Sequence, residues 1–83
     1  MIIKGKEVKL KYSLRSLFAF EQMTNKAFEV KTLLDEYVFL YCMIISNNDI
    51  QLTFSEFIDE AENHPEYMTE FQDFLQTQYK IQG

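Results

Sequence analysis

The sequence predicts a small α+β domain, mostly helical, in which an N-terminal β-hairpin packs on a bundle of about four α-helices. Charged and apolar residues alternate over residues 7–12, as they do in a strand. From residue 14 onward, apolar residues recur at the three- and four-residue spacing of helices. Only two Gly and one Pro interrupt 83 residues that are 47% hydrophobic. Such a chain is expected to fold as one domain over residues 1–83.

The hairpin is predicted over residues 2–12. A first strand at residues 2–4 is followed by a tight turn at residues 5 and 6, and then by the alternating segment. The side chains expected to face inward from that segment are Val8, Leu10 and Tyr12. An isolated hairpin is marginally stable in water, so this one is expected to lie against the helices.

The four helices are predicted at about residues 14–24, 33–46, 54–62 and 65–80. The residues expected to cap the first three are Ser13, Thr32 and Thr53. Thr53 with Glu56 forms a capping box, Thr32 with Asp35 comes close to one, and Pro65 suits the first turn of the last helix. The second helix is apolar around most of its circumference, which predicts a place at the centre of the bundle.

The charge is unevenly distributed along the chain. Residues 1–31 hold seven basic and three acidic side chains, a net charge of +4, whereas residues 32–83 hold one basic and ten acidic side chains, a net charge of −9. A basic patch around the hairpin comprises Lys4, Lys6, Lys9, Lys11 and Arg15. A dipolar molecule of this kind favours head-to-tail self-association, so a homo-oligomer is one expected state.

The basic patch has two interpretations. Clustered cations are what phosphate contacts require, and nucleic-acid binding would use them in that way. Lysines at a strand edge also prevent strands of different molecules from pairing. We favour the second interpretation because ten acidic groups on the remaining chain repel phosphate. No specific nucleic-acid partner is therefore expected.

The sequence offers little material for catalysis. Its one histidine, His64, lies beside Pro65, and its one cysteine, Cys42, lies within the apolar run of residues 37–45. A metal site needs three or four convergent ligands, and a nucleophile needs a partner base. We therefore expect a non-enzyme without cofactor or metal, in which Cys42 is a buried core residue. The apolar run is shorter than the roughly 20 residues of a membrane span, which predicts a soluble, cytoplasmic protein.

One carboxylate stands out in the first helix. A helical wheel places Leu14, Leu17 and Phe18 on one stripe, and Glu21 falls in the middle of it. If that stripe faces the core, the carboxylate lies on a face that should be dry. Either the protein uses Glu21 in a site, or the fold needs it.

The structural role is the favoured one for Glu21, because the sequence supplies no reaction partner for it. On the inner face, shielded from water, it could accept hydrogen bonds from backbone N–H groups of residues 24–28 or of the helix start at Thr32. It could also pair with Lys26 or Arg15. We therefore expect a structural carboxylate.

Three segments of the chain, LRSLFAFEQMTNKAF, TLLDEYVFLYCMII and LTFSEFIDEAENHPE, resemble the small tail assembly chaperones of long-tailed phages and prophages. The similar features are a short basic hairpin, a central apolar helix, a threonine-capped helix before an acidic end, and an F-E-x-x-T-x-K-like segment made of Phe20, Glu21, Thr24 and Lys26. The resemblance covers roughly residues 3–74. The chain departs from it at Asn25, where Gly is commoner, although Asn also tolerates a left-handed conformation.

The resemblance implies a protein that performs no chemistry. Such chaperones bind tape-measure or tail tube proteins in the cytoplasm of the bacterial host cell and keep them soluble during tail assembly. An amphipathic partner helix would suit an aromatic- and methionine-rich helical groove. The candidate partner-binding residues are Phe28, Tyr67, Met68 and Phe71. The alternatives are a small nucleic-acid-binding accessory protein that uses the basic hairpin, and a generic protein–protein adaptor.

Overall fold

The structure, a computed structural model, describes the backbone of residues 1–82 and the side chains of residues 1–78. It confirms the α+β class, with an N-terminal hairpin and four helices. The elements are β1 (Ile2–Ile3), β2 (Lys6–Glu7), α1 (Leu14–Thr24), α2 (Leu33–Asn47), α3 (Phe54–Asn63) and α4 (Glu66–Gln82). The bounds of α1 are those predicted, and the other helices begin and end within two residues of the predicted positions.

The hairpin is shorter than predicted, and its turn lies one residue earlier. The strands pair antiparallel with Ile3 opposite Lys6, so the turn consists of Lys4 and Gly5. Both turn residues have positive φ angles, 52° and 78°, as two-residue hairpin turns of the primed type require. The prediction of a turn at residues 5 and 6 was therefore wrong.

The chain after β2 does not continue as a strand, because side chains at the end of α2 bond its backbone. Asn48 Oδ1 accepts from Lys9 N at 2.8 Å, and Asn48 Nδ2 donates to the Lys9 carbonyl at 2.9 Å. Asn47 Nδ2 donates to the Lys11 carbonyl at 3.1 Å. A hairpin reaching residue 12 was thus a wrong prediction. The inward alternation still holds, with Val8 buried and Leu10 and Tyr12 half-buried.

The middle of α2 is the centre of the molecule, as its apolar circumference predicts. Every residue from Val38 to Ile44 is buried, including Cys42, whose predicted burial is confirmed. Phe39 is the meeting point of the other segments. Four rings lie with their centroids 4.8–6.2 Å from its own, those of Tyr12, Phe20, Phe28 and Phe71. All but Phe28 meet it edge-on at 79–88°.

Helix α1 packs along α2 with a different face from the one predicted. Ser16 and Phe20 are fully buried, whereas Leu14 and Phe18 are 67% and 58% exposed. The expectation that the stripe of Leu14, Leu17 and Phe18 faces the core was therefore wrong, since only Leu17 is half-buried. Helix α1 leaves part of its apolar surface in water.

A buried polar cluster explains this orientation of α1. The hydroxyl of Ser16 lies 2.8 Å from that of Ser13 and accepts from Asn47 Nδ2 at 3.2 Å. A serine hydroxyl can be buried without loss when its hydrogen bonds are satisfied. The face of α1 toward α2 therefore contains a buried polar residue, Ser16. Apolar periodicity alone predicts the wrong face because it assigns serine to the surface.

The orientation of α1 predicts opposite effects for two phenylalanines of the same helix. Truncating the buried ring in Phe20→Ala should lower the free energy of unfolding by about 3–5 kcal/mol. The matched change Phe18→Ala should alter it by about 0.5 kcal/mol or less, since that ring is mostly solvated. Urea denaturation of both variants measures the difference. A larger loss in Phe18→Ala would show that α1 faces the core with its apolar stripe.

Candidate partner-binding surface

The segment between α1 and α2 is organised by one buried carboxylate, Asp35. Both of its oxygens accept from Lys26 Nζ at 2.9 Å. Its Oδ2 also accepts from the backbone N–H groups of Lys31 at 3.0 Å and Thr32 at 3.3 Å. The Thr32 hydroxyl accepts in return from Asp35 N. Thr32 and Asp35 therefore form a complete capping box, where the sequence predicted only a near match to one.

These contacts keep Asp35 ionised. The hydrogen bond from Lys26 and the one from the Lys31 backbone lower the pKa of this carboxyl from 3.8 to about 2, against the opposing effect of burial. The side chain is therefore an anion throughout the physiological range. An anion in the first turn of α2 is also favoured by the helix dipole.

Glu21 has part of the role that the sequence predicts for it. Its Oε2 accepts from Phe28 N at 2.8 Å, which confirms the expected bond to the backbone after α1. The side chain is nevertheless exposed, so the prediction that it is shielded from water was wrong. The reason is the orientation of α1, which turns Glu21 outward together with Leu14. Lys26, offered as a partner for Glu21, pairs with Asp35 instead.

The segment from Asn25 to Thr32 is also held in place by the C-cap of α1 and by a packed aromatic ring. Asn25 adopts the left-handed conformation, with φ of 56°, and its N–H donates to the Glu21 carbonyl at 2.8 Å, which ends α1. Phe28 then packs on Phe20, with ring centroids 5.1 Å apart. The segment is thus bound at both ends and at its middle, and it fixes where α2 begins.

The first turn of α2 presents two large apolar side chains to solvent. Leu33 and Leu34, which directly follow the cap, are 67% and 61% exposed. They border a groove between α2 and α3 with a volume of ≈ 380 Å³. The residues lining it are Leu33, Leu34, Tyr37, Ile58, Ala61 and Glu62. The lining residues are apolar except for Glu62 and the hydroxyl group of Tyr37.

A smaller groove of ≈ 260 Å³ lies on the other side of the same turn, toward α4. Its lining residues are Val30, Glu36, Phe71, Gln72, Leu75 and Gln76. Val30 is 38% exposed, so it adds another apolar side chain to this surface. The beginning of α2 is therefore an apolar ridge between two grooves.

Of the four predicted partner-binding residues, only Phe71 lines one of the two grooves, and two of the four are not accessible. Tyr67 and Phe71 are only 3% and 1% exposed, so proposing them as a contact surface was wrong. The Tyr67 hydroxyl donates to the Ile2 carbonyl at 2.6 Å, which attaches α4 to the hairpin. Phe28 and Met68 are half-buried against the core.

The ridge itself was missed. Its signal in the sequence is the pair Leu33-Leu34 directly after the cap Thr32, one turn before the fully buried part of α2.

The basic patch is exposed, and two of its five residues form hydrogen bonds with acceptors of the same chain. Lys4 Nζ lies 3.1 Å from Glu56 Oε2, and Lys6 Nζ donates to the Asp49 carbonyl at 3.0 Å. The backbone of Thr53 and then the Lys4 ammonium lower the pKa of Glu56. The other basic residues of the patch are exposed, namely Lys9, Lys11 and Arg15.

Cys42 and His64 have separate surroundings. Burial raises the pKa of the Cys42 thiol to about 11. His64 Nδ1 lies 3.0 Å from Glu66 Oε1, and its ring stacks on Tyr67 with centroids 5.0 Å apart. In the part of the chain whose side chains are described, no three His, Cys, Asp or Glu residues are arranged to hold a metal ion.

Comparisons with known proteins identify no relative of this chain. No protein-family model, no curated protein and no solved structure matches this chain. None of the helices among residues 1–82 combines the length and apolar character that crossing a bilayer requires.

Removing the buried anion should destabilise the protein in a pH-dependent way. Asp35→Asn weakens the bonds from Lys26 and from two backbone amides, so its midpoint of thermal unfolding at neutral pH should fall by several degrees. Because folding lowers the pKa of Asp35 from 3.8 to about 2, the stabilisation is fully present above the higher value. It is lost as the pH falls toward the lower value. The difference between wild type and variant should therefore shrink across that interval.

The matched control is Asp59→Asn, at an exposed position of α3. It should leave the midpoint nearly unchanged at neutral pH. Glu21→Ala, which removes one bond to Phe28 N, should have a smaller effect than Asp35→Asn. An unfolding midpoint of Asp35→Asn that equals the wild type at neutral pH would refute the role assigned to this carboxylate.

The thiol of Cys42 should resist labelling in the native protein. It is fully buried, and its raised pKa keeps it protonated. A maleimide reagent should modify it only when α2 opens, so the labelling rate should rise steeply with denaturant. Ser55→Cys supplies an exposed thiol as a positive control. Equal labelling rates at the two sites in native buffer would contradict the burial.

Proposed function

We propose that this protein is a non-enzymatic assembly chaperone of the phage tail type, which binds an apolar helical segment of a larger protein. The observation that carries the proposal is the apolar ridge of Leu33 and Leu34, which are 67% and 61% exposed beside a groove of ≈ 380 Å³. Large apolar side chains that lie together in water beside an apolar groove are typical of a protein-binding surface. Binding of a partner would remove them from water.

A helix suits this surface better than an extended chain. The groove has room for roughly two or three leucine-sized side chains, judged against the ≈ 150 Å³ of a cavity that holds benzene. An amphipathic helix presents side chains of that number from one face, at positions i, i+4 and i+7. Both walls of the groove are helices, α2 and α3, along which a third helix can lie.

The kind of partner follows from the resemblance to tail assembly chaperones. A tape-measure protein is long, apolar and helical, and it needs cover until tail subunits polymerise around it. The acidic part of this chain, with a net charge of −9 over residues 32–83, would keep such a complex soluble. In this proposal the protein acts in the cytoplasm of a bacterial host cell. The bonds of Lys4 and Lys6 within the chain favour a protein partner over nucleic acid.

The proposal predicts that two leucines decide binding. In the variant Leu33→Ser plus Leu34→Ser, each leucine loses a contribution of about 1.5–3 kcal/mol from burial against the partner. Affinity for a tape-measure protein should therefore fall at least about 100-fold. Coexpression of the two proteins, followed by measurement of the soluble tape-measure fraction and of the dissociation constant, tests this.

The matched control is Leu14→Ser plus Phe18→Ser, which removes two side chains of similar exposure from α1. This control should bind like the wild type, and circular dichroism should show that both variants are folded. Equal loss of binding in the two variants would disprove the site. A gene neighbourhood without tail protein and tape-measure genes would disprove the tail assembly role.

A further inference from the structure

We infer that the groove between α2 and α3 selects a cationic helix, in which lysine or arginine borders the apolar face. The inference rests on the proposed function, because it concerns the partner that the same surface receives. It goes beyond that function by assigning the partner's charge.

The single charged residue that lines the larger groove is acidic. Glu62 is exposed and follows Ile58 by four residues, so the two are neighbours on the surface of α3. Among residues 1–78, Glu62 does not lie within ion-pair distance of a cation. The wall of the groove formed by α3 thus has one carboxylate that is available to a partner.

The smaller groove repeats this arrangement. Glu36 is the one charged residue that lines it, and no lysine or arginine lines either groove. The carboxylates therefore lie on both sides of the ridge formed by Leu33 and Leu34. A helix placed on the ridge would have acidic side chains along both of its edges.

The cations nearest in sequence are already paired. Lys26 Nζ bonds Asp35 at 2.9 Å, and Lys31 Nζ lies 3.3 Å from Glu29. They therefore compensate other carboxylates rather than those of the grooves. Together with the net charge of −9 over residues 32–83, this leaves a negative potential at the ridge, which attracts a cationic helix and repels an acidic one.

Two synthetic peptides of about 18 residues, long enough to form a helix on binding, test the selection. They share one leucine face and differ only at the bordering positions, which are lysine in one and glutamate in the other. Fluorescence anisotropy at low salt should give an affinity for the lysine peptide at least about tenfold higher than for the glutamate peptide. Raising the ionic strength should reduce this preference, since exposed charges are screened.

Two single-charge variants locate the source of the preference. Glu62→Gln should reduce it about two- to fivefold, whereas Asp49→Asn, which removes the same charge away from both grooves, should leave it unchanged. Equal reductions in the two variants would assign the preference to overall charge and overturn the inference. Leu33→Ser plus Leu34→Ser should abolish binding of both peptides.

The outcomes separate this inference from the proposed function. Equal affinities of the two peptides, both lost in the double leucine variant, would leave the binding site standing and overturn the charge selection. Tighter binding of the glutamate peptide would do the same. Failure of both peptides to bind the wild type would overturn the groove as a helix-binding site, and the charge selection with it.

Discussion

The structure depends on one constraint, the complete burial of the middle of α2. From Val38 to Ile44 every residue is buried, and within this stretch the Tyr41 hydroxyl donates to the Leu52 carbonyl at 2.6 Å. Further polar contacts position the helix at its two ends. At its start, Asp35 binds the preceding segment through Lys26 and two backbone amides. At its end, Asn47 and Asn48 bond the backbone that follows the hairpin. The apolar middle supplies most of the burial, and the polar ends determine its orientation and neighbours.

The same arrangement positions the apolar ridge that we propose as a binding surface. Because the Asp35 anion binds the segment before α2, the first turn of α2 is held in place while its two leucines remain exposed. A ridge on a turn that is already capped and hydrogen-bonded would lose less conformational entropy when a partner covers it than a loose segment would, which favours binding. We therefore propose, as the central claim, that Asp35 is a bonded anion and that it thereby presents Leu33 and Leu34 to a partner.

The sequence predicted features whose causes are local. The caps at Thr32 and Thr53, the ends of the helices and the central place of α2 follow from neighbours within four residues. The sequence-based predictions were wrong where contacts between residues far apart in the chain determine the structure. The face of α1 depends on a hydrogen bond between Ser16 and Asn47, which are 31 residues apart. The sequence also pointed to Glu21 as the buried carboxylate because its stripe looked apolar, whereas Asp35 is buried beside its own helix cap. The ridge was not predicted because Leu33 and Leu34 continue the apolar sequence of α2, so the sequence does not distinguish them from the core residues that follow.

The most direct test of the central claim is an NMR titration of the Asp35 carboxyl carbon. The bonds from Lys26 and from the two amides should give a pKa of about 2, well below the ordinary 3.8. In Lys26→Met the pKa should rise toward the ordinary value, because the bond from Lys26 is the largest cause of the shift. A wild-type pKa at 3.8, unchanged in Lys26→Met, would show that Asp35 does not hold the start of α2.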